Sequence, residues 1–170
     1  PLLVVAQTVM DEALETLKLN KQRGALASCA VRAPGFGDIR RDMLLDLAAV
    51  CGGRVFSSDT EGQLLSVNLS DLGQARRVVV TRDSTTIVDG MGSEEAVEQR
   101  EQSIRVRMQS DNLETYEVAA FRDRLSKLAG SVAIFRVGGI SEAEVKEKKD
   151  RVEDAINAVK AAIEQGVVPG

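Results

Sequence analysis

The sequence predicts an α/β fold, made of β-α-β layers with flanking helices and followed by one long helix. Two observations carry this prediction. Between residues 2 and 57, short apolar runs alternate with stretches of helical periodicity. From Ser141 to Gly170, a helix start signal, an apolar stripe and a stop signal follow one another. The composition, 44% hydrophobic and 28% charged over 170 residues, is enough for one sizeable core or two small ones.

The first 57 residues predict a β-α-β-α-β series. Leu2–Ala6 is an unbroken apolar run, which is typical of a strand buried on both faces. Glycines punctuate the series at Gly24 and at Gly52-Gly53. The predicted elements are the strand Leu2–Ala6, the helix Gln7–Asn20, the strand Ala25–Ala33, the helix Ile39–Cys51 and the strand Arg54–Ser57.

Apolar spacing predicts which side chains of these elements point inward. The expected inward residues are Ala13, Leu14 and Leu17 in the first helix, Leu26, Cys29 and Val31 in the second strand, and Leu44, Leu47, Ala48 and Cys51 in the second helix. Met10 and Leu19 extend the apolar surface of the first helix around its side, which indicates either core packing or a peptide-binding groove. A turn is predicted at Pro34-Gly35-Phe36-Gly37 from its proline and two glycines. Asp38 is expected to cap the second helix.

A hairpin is predicted in the middle of the chain. Gly62–Leu69 is a short extended segment, and Asp71-Leu72-Gly73 is a turn. Two β-prone runs then flank Arg82-Asp83-Ser84, which predicts a hairpin of Arg76–Thr81 and Thr85–Asp89. The hydroxyls at its tip resemble a phosphate grip, but residues of this kind are normal for turns.

Two further helices and a strand precede the last helix. Ser93 caps a charged helix that runs to about Gln109, and Asp111 with Asn112 breaks it. Thr115–Ala129 is the next helix, closed by Gly130, where we place a domain boundary. The expected inward residues are Val97, Ile104 and Met108 in the first of these helices, and Val118, Phe121, Leu125 and Leu128 in the second. Val132–Val137 is predicted to be a strand, followed by a glycine joint.

The last helix begins at Ser141, which forms a predicted capping box with Glu144, and it ends at Gly166. Its apolar stripe is Val145, Val152, Ile156, Val159 and Ile163, and only the second half of that stripe is dense enough to bury a whole face. Asp154 lies roughly opposite the stripe, beside small alanines. Spacing alone indicates an ordinary surface carboxylate there.

Composition excludes several function classes. There is no His, which removes His-dependent triads and His-ligated zinc sites, and we predict no metal site. Aromatic residues make up 3% and the net charge is −4, which argues against a nucleic-acid partner. No run is long and apolar enough to predict a membrane span. Cys29 and Cys51 are expected to be reduced core residues, and an unrelated α/β enzyme that uses Cys51 or a carboxylate pair stays open as an alternative.

A set of motifs, in order over essentially the whole chain, resembles the group I chaperonins, the class of bacterial GroEL and organellar Hsp60. They are Arg32 to Asp38 with Arg40-Arg41, Asp71-Leu72-Gly73-Gln74-Ala75, Thr85-Thr86-Ile87-Val88-Asp89-Gly90, Leu128-Ala129-Gly130, Val137-Gly138, Glu147 to Ala155, and Gly166 to Gly170. The resemblance implies that residues 1–130 are the later part of an apical domain. Residues 131–170 would be the returning half of the intermediate domain, with the equatorial domain outside this chain.

The resemblance also implies binding residues. In that family, a groove between two helices of the apical domain captures non-native polypeptides and the mobile loop of a GroES/Hsp10-type co-chaperonin. The helix from Met10 to Arg23 resembles one of the two, and the implied contact residues are Leu14, Lys18, Leu19 and Asn20. Lys18 departs from the family, which is apolar at this position, and a desolvated ammonium group opposes the burial of apolar substrate.

Asp154 matches the aspartate that orients the attacking water during ATP hydrolysis in that family, so the resemblance implies a catalytic role. Gly170 matches the first residue of a glycine run at the nucleotide pocket, and Glu142 matches a carboxylate that contacts a neighbouring subunit. ATP and Mg would be cofactors of the longer protein, and this chain alone is expected to bind neither.

The implied function is therefore part of an ATP-dependent, ring-forming chaperonin that refolds non-native polypeptides in a bacterial-type cytoplasm, with an organelle matrix as the other location. The alternative is a divergent paralogue that works as a peptide-binding holdase without ATPase activity.

Overall fold

Four β-strands and five α-helices make up the part of the chain that the structure describes, which confirms the α/β class. The structure is a computed structural model, and it describes residues 1–57, 66–110, 113–130 and 135–168. The chain divides into two compact units, Pro1–Val132 and Ala133–Gly170. Among the described residues, no helix is both long and apolar enough to cross a membrane.

The first unit opens with a parallel β-α-β unit. Its strands are β1 (Leu2–Ala6) and β2 (Ser28–Arg32), which pair in parallel from Leu2 opposite Ser28 to Ala6 opposite Arg32. The crossover helix α1 (Asp11–Gln22) begins four residues later than predicted. The reason is that Met10 is still extended (φ −65°, ψ 154°), so it is the N-cap residue rather than part of the helix.

Burial in this unit differs from the prediction at both strands. β1 is half-buried along its length, not buried on both faces. Leu26 was predicted to be a buried residue of the second strand, but it is 37% exposed. It belongs to the turn after α1, where its amide donates to Asn20 O, because the strand starts only at Ser28. Ser28 and Ala33 are the buried positions instead. In α1, Ala13 is exposed, so the predicted inner face is kept only by half-buried Leu14 and Leu17.

Helix α2 (Gly37–Cys51) starts without the predicted aspartate cap. Its N-cap residue is Phe36, and Asp38 lies inside the first turn, where its charge complements the helix dipole. Gly35 and Gly37 have φ values of 76° and 51°, which confirms the turn that precedes the helix. The inward residues of α2 that were predicted from spacing are half-buried.

The predicted third strand, Arg54–Ser57, is not formed. The Arg54 amide donates instead to Asp71 O, beside a short 3-10 helix, Leu69–Asp71. Residues 54–57 are not part of a strand, so the described series ends after α2. Of the predicted extended segment Gly62–Leu69, residues 62–65 lie outside the described residues.

The hairpin is confirmed. Strands β3 (Ala75–Val80) and β4 (Thr85–Gly90) pair antiparallel, and Thr81 and Ser84 bond to each other across the tip. The base of the hairpin lies against the end of α2: Gln74 N donates to Cys51 O at 2.7 Å, and Gly92 N donates to Val50 O at 2.8 Å. These remote amides satisfy carbonyls that the helix leaves without an internal partner.

Helices α3 (Glu94–Met108) and α4 (Thr115–Ala129) confirm the next two predictions. Ser93 caps α3, because its side chain accepts from Ala96 N at 3.2 Å. The predicted break at Asp111 and Asn112 lies outside the described residues. Ile104, Phe121 and Leu128 form the buried core, and the side chains packed against it are Val50, Val97, Met108, Leu113 and Leu125.

Beside this core, five charged residues join α2, α3 and α4. We call them the ion cluster: Asp42, Asp46, Arg100, Arg107 and Arg124. The Arg124 guanidinium is 3% exposed and donates to Asp46 at 2.7 Å and to Asp42 at 2.9 Å. Arg100 lies 2.7 Å from Asp46, and Arg107 lies 2.6 Å from Asp42. Burial of the Arg124 guanidinium acts to lower its pKa, but the hydrogen bonds that it donates to Asp46 and Asp42, together with their charges, raise the pKa of Arg124 overall.

The second unit consists mainly of α5 (Glu142–Gln165). The predicted strand Val132–Val137 is not formed at residues 135–137, and residues 132–134 lie outside the description. Ser141 caps α5 as predicted, accepting from Glu144 N at 3.2 Å. The returning bond differs from a strict capping box, because Glu144 accepts from Ile140 N at 2.8 Å instead of Ser141 N.

The apolar stripe of α5 is half-buried only at Val145 and Val152. Within the described chain, the second half of the stripe is exposed, with Ile156, Val159 and Ile163 exposed by 46%, 57% and 80%. The stripe exists as predicted, but its denser half has no packing partner among the described residues.

Candidate functional site

Helix α1 presents the residues that the chaperonin resemblance implies for polypeptide binding. Successive helix residues are separated by about 100° around the axis, so Leu14 and Lys18 lie about 40° apart on one edge. Met10 is the N-cap residue, one turn before Leu14 along the axis, because Leu14 N donates to Met10 O at 2.9 Å, and it is 73% exposed. These three residues follow one another along the first turns of α1 and its N-cap, and we call them the α1 stripe. Leu14 is half-buried, whereas Lys18 is exposed.

The charge of the α1 stripe is concentrated at Lys18. Its ammonium group pairs with Glu15 Oε1 at 2.6 Å, and the two side chains are 53% and 62% exposed. An exposed pair of this kind exchanges readily with water, because its net contribution to stability is about 0–1 kcal/mol. Lys18 therefore keeps an accessible charge at the edge of the helix.

The other two implied contact residues lie elsewhere on α1. Leu19 is about 100° from Lys18, on the outer face, and is 47% exposed. Asn20 lies a further 100° around the helix and is half-buried. Its side-chain amide donates to Thr16 O at 2.8 Å, and its backbone carbonyl accepts from Ala25 N and Leu26 N. The structure thus places Leu14 and Lys18 on one edge of α1, whereas Leu19 lies on the outer face, about 140° from Leu14. Asn20 is used in the turn that follows the helix.

The implied catalytic and inter-subunit carboxylates both lie on α5. Asp154 is exposed, and no described residue forms a hydrogen bond or ion pair with it. Asp150 lies one turn earlier and is also exposed. Glu142 occupies the first turn and is exposed. Both carboxylates are therefore available to groups outside the described chain, while Gly170 lies outside the described residues.

A nucleotide and magnesium do not fit the described residues as a site of their own. No group of three or more side chains of the metal-binding types comes together in the described part of the chain. Asp42 and Asp46 are the carboxylates of the ion cluster, but its arginines already occupy their oxygens. We therefore derive no catalytic step from this chain alone.

The thiols give little support to the alternative enzyme. Cys29 and Cys51 are both free and half-buried. Burial raises the pKa of the Cys51 thiol, which lowers the fraction of the reactive thiolate at neutral pH. A nucleophilic cysteine needs the opposite shift, and Gly73 packs directly against the Cys51 side chain.

Spacing predicts that Met10 belongs to an apolar flank of α1, but it does not predict that Met10 is the N-cap residue. Spacing also gives no role to Glu15, which pairs with Lys18. The i, i+3 separation of Glu15 and Lys18 was the available signal for that pair.

Comparison with known proteins identifies the family. The family model of the TCP-1/cpn60 chaperonins matches residues 1–170. Among solved structures, the chain is similar to the chaperonin gp146 from the bacteriophage EL 2 (Pseudomonas aeruginosa), solved in the presence of ATP-BeFx. The TM-score is 0.68 at 24% sequence identity, over 100% of this chain and 33% of that chain. The chain therefore spans about a third of that phage protein. Because the family match covers every residue, the chain belongs to the TCP-1/cpn60 chaperonin family.

Proposed function

We propose that this chain is a segment of a group I chaperonin of the GroEL/Hsp60 class, working in a cytoplasm or an organelle matrix. Residues 1–130 would belong to the apical domain and residues 131–170 to the intermediate domain, with the equatorial domain elsewhere in the longer protein. The proposal rests on the family match and on the ordered motifs of the sequence.

The segment binds non-native polypeptides through α1. The observation that carries this step is the exposure of two apolar side chains, Met10 at the N-cap of α1, 73% exposed, and Leu19 on its outer face, 47% exposed. Burial of exposed apolar side chains supplies most of the free energy when a helix face binds an apolar segment. A GroES/Hsp10-type co-chaperonin would use the same surface.

Serine substitutions at the two exposed apolar positions test this step. We expect Met10→Ser and Leu19→Ser each to weaken the binding of a chemically unfolded protein to the chain by about tenfold, because each removes an apolar side chain from the contact. Val106→Ser on α3 is the matched control, since Val106 is 56% exposed and outside the proposed face. Equal losses in all three variants would contradict the assignment. Binding is measured by fluorescence anisotropy of the labelled, unfolded protein.

In the longer protein, ATP hydrolysis would drive the cycle, and Asp154 would position the attacking water by accepting a hydrogen bond from it. The exposed, unpaired state of Asp154 among the described residues supports this role. ATP and Mg would be held by another part of the longer protein, near the segment that begins at Gly170. Glu142 would contact a neighbouring subunit of a homo-oligomeric ring.

The longer protein offers a matched test of the carboxylate. Asp154→Ala should abolish phosphate release while leaving ring mass unchanged in light scattering. Asp150→Ala, one turn earlier on the same exposed helix, should keep both. If Asp154→Ala hydrolyses ATP at the normal rate, the catalytic assignment is wrong.

One observation favours a second candidate, a paralogue that holds peptides without ATPase activity. The Lys18–Glu15 ion pair puts charge on α1 at a position where the group I chaperonins are apolar, and this departure favours a divergent paralogue. A small particle without ATPase activity, measured by light scattering with and without ATP, would support this candidate over the ring.

A further inference from the structure

We infer that the α1 stripe selects extended polypeptide segments in which two apolar residues and one carboxylate alternate, and that Lys18 binds the carboxylate. This inference rests on the proposed function, because it names the class of segment that the same face takes. It starts from the row of Met10, Leu14 and Lys18, where two apolar side chains lead to one ammonium group.

The spacing of the row fits an extended chain. Residues one helical turn apart are separated by about 6 Å along the axis, since the rise is about 1.5 Å per residue. In an extended segment, residues i and i+2 lie on the same side, about 6.6 Å apart. An extended segment can therefore place every second side chain against Met10, Leu14 and Lys18 in turn.

The charges along α1 favour the carboxylate at the Lys18 end. The first turn contains Asp11 and Glu12, which repel an acidic side chain near Met10. The last turn contains Lys21, which adds positive charge beyond Lys18. The α1 stripe therefore favours a bound segment that is apolar near Met10 and Leu14 and acidic near Lys18.

Glu15 sets the strength of this selection. It already holds the Lys18 ammonium group at 2.6 Å, but an ammonium group has three donors and can bond to a second carboxylate. The two carboxylates then repel each other, so Glu15 weakens the selection without preventing it. The aliphatic stem of Lys18 still covers the apolar part of the segment.

Three synthetic peptides test the inference on the 170-residue chain by fluorescence anisotropy. The first has the alternating pattern apolar-x-apolar-x-glutamate, the second has glutamine in place of glutamate, and the third moves the glutamate by one position. We expect the first to bind about two- to fivefold more tightly than the other two at low ionic strength, as for an exposed ion pair. High salt should remove the difference.

Variants separate Lys18 from general electrostatics. Lys18→Gln should remove the preference for the first peptide, and Glu15→Gln should increase it. Lys127→Gln is the matched control, because Lys127 is also an exposed lysine paired with a carboxylate on its own helix, α4. It should leave the preference unchanged.

The outcomes distinguish polypeptide binding by α1 from selection of the carboxylate by Lys18. If all three peptides bind equally and Met10→Ser weakens all of them, polypeptide binding by α1 stands and the selection by Lys18 is wrong. If no peptide binds, or Met10→Ser changes nothing, the proposed function of α1 fails and the selection fails with it.

Discussion

Replacing Arg124 by methionine is expected to lower the free energy of unfolding of the first unit by about 3 kcal/mol. The side chain is 3% exposed and bonds to both Asp46 and Asp42 of the ion cluster. Removing one partner of a buried ion pair leaves charge without compensation, which costs about 3–5 kcal/mol. The lower end applies because Arg100 remains 2.7 Å from Asp46.

Arg107→Met is the matched control. Arg107 lies 2.6 Å from Asp42, a shorter distance than that of Arg124, but its side chain is 53% exposed. Water screens such a pair, so we expect a loss below about 1 kcal/mol. Both guanidinium groups also lie over the Phe121 ring, at 5.6 and 5.7 Å, so both variants lose a similar aromatic contact.

Urea unfolding followed by tyrosine fluorescence measures the difference. Tyr116 is the single tyrosine of the chain and lies on α4, the helix that carries Arg124. Asp46→Asn tests the same ion pair from the other side, because it removes the opposite charge with almost no change in volume. It should also lower the free energy of unfolding by about 3 kcal/mol. If Arg107→Met and Arg124→Met destabilise equally, burial does not set the strength of these ion pairs and the reasoning is refuted.

Three further predictions follow from the contacts of single residues. Gly92→Ala should lower the free energy of unfolding, measured with urea, by about 3 kcal/mol, because an added Cβ would lie 1.8 Å from Ala49 O. Gly138→Ala is the control: space around Gly138 is open, so the free energy of unfolding should change by less than about 0.5 kcal/mol. Hydrogen bonds from Lys148 and the Ile140 amide lower the pKa of Glu144 in the folded chain. The stabilisation of the α5 start is thus complete above the unfolded pKa of about 4.3 and is lost as pH falls through the lower folded value. Over that pH range, the helicity measured by circular dichroism should fall further in the wild type than in Glu144→Gln. Cys51 should react slowly with iodoacetamide at neutral pH until the chain is unfolded, because burial raises the pKa of its thiol. Fast reaction in the folded chain would support the alternative of an enzyme that uses Cys51 as its nucleophile.

The face of α1 was only partly predictable. Apolar spacing identified Leu14, and it indicated a flank that includes Met10 and Leu19. It did not place the start of the helix, because Met10 is still extended and its side chain makes no cap hydrogen bond. The relation of Leu14 to Lys18 follows from spacing once the helix is known. The place of Met10 required the structure, because Met10 is the extended N-cap residue. Which side of α1 turns toward β2 required the structure.

The third strand was mispredicted because strands depend on a partner. Arg54–Ser57 has the residue types of a strand, but its first amide bonds to Asp71 O and no ladder forms there. Extended stretches become strands only when another strand lies within hydrogen-bonding distance, and local sequence does not report that distance.

By itself, the sequence determined what depends on neighbours along the chain. The caps at Ser93 and Ser141, the hairpin between Thr81 and Ser84, and the periodic faces of α3 and α4 are set by bonds and spacings of a few residues. The tertiary structure decided the ion cluster, where Asp46 and Arg124 are 78 positions apart. No periodicity links residues so distant, and a charged residue on a helix normally stays in water. Only the packing of α2 against α4 removes that water and makes the pairing of Arg124 with two carboxylates the lowest-energy arrangement.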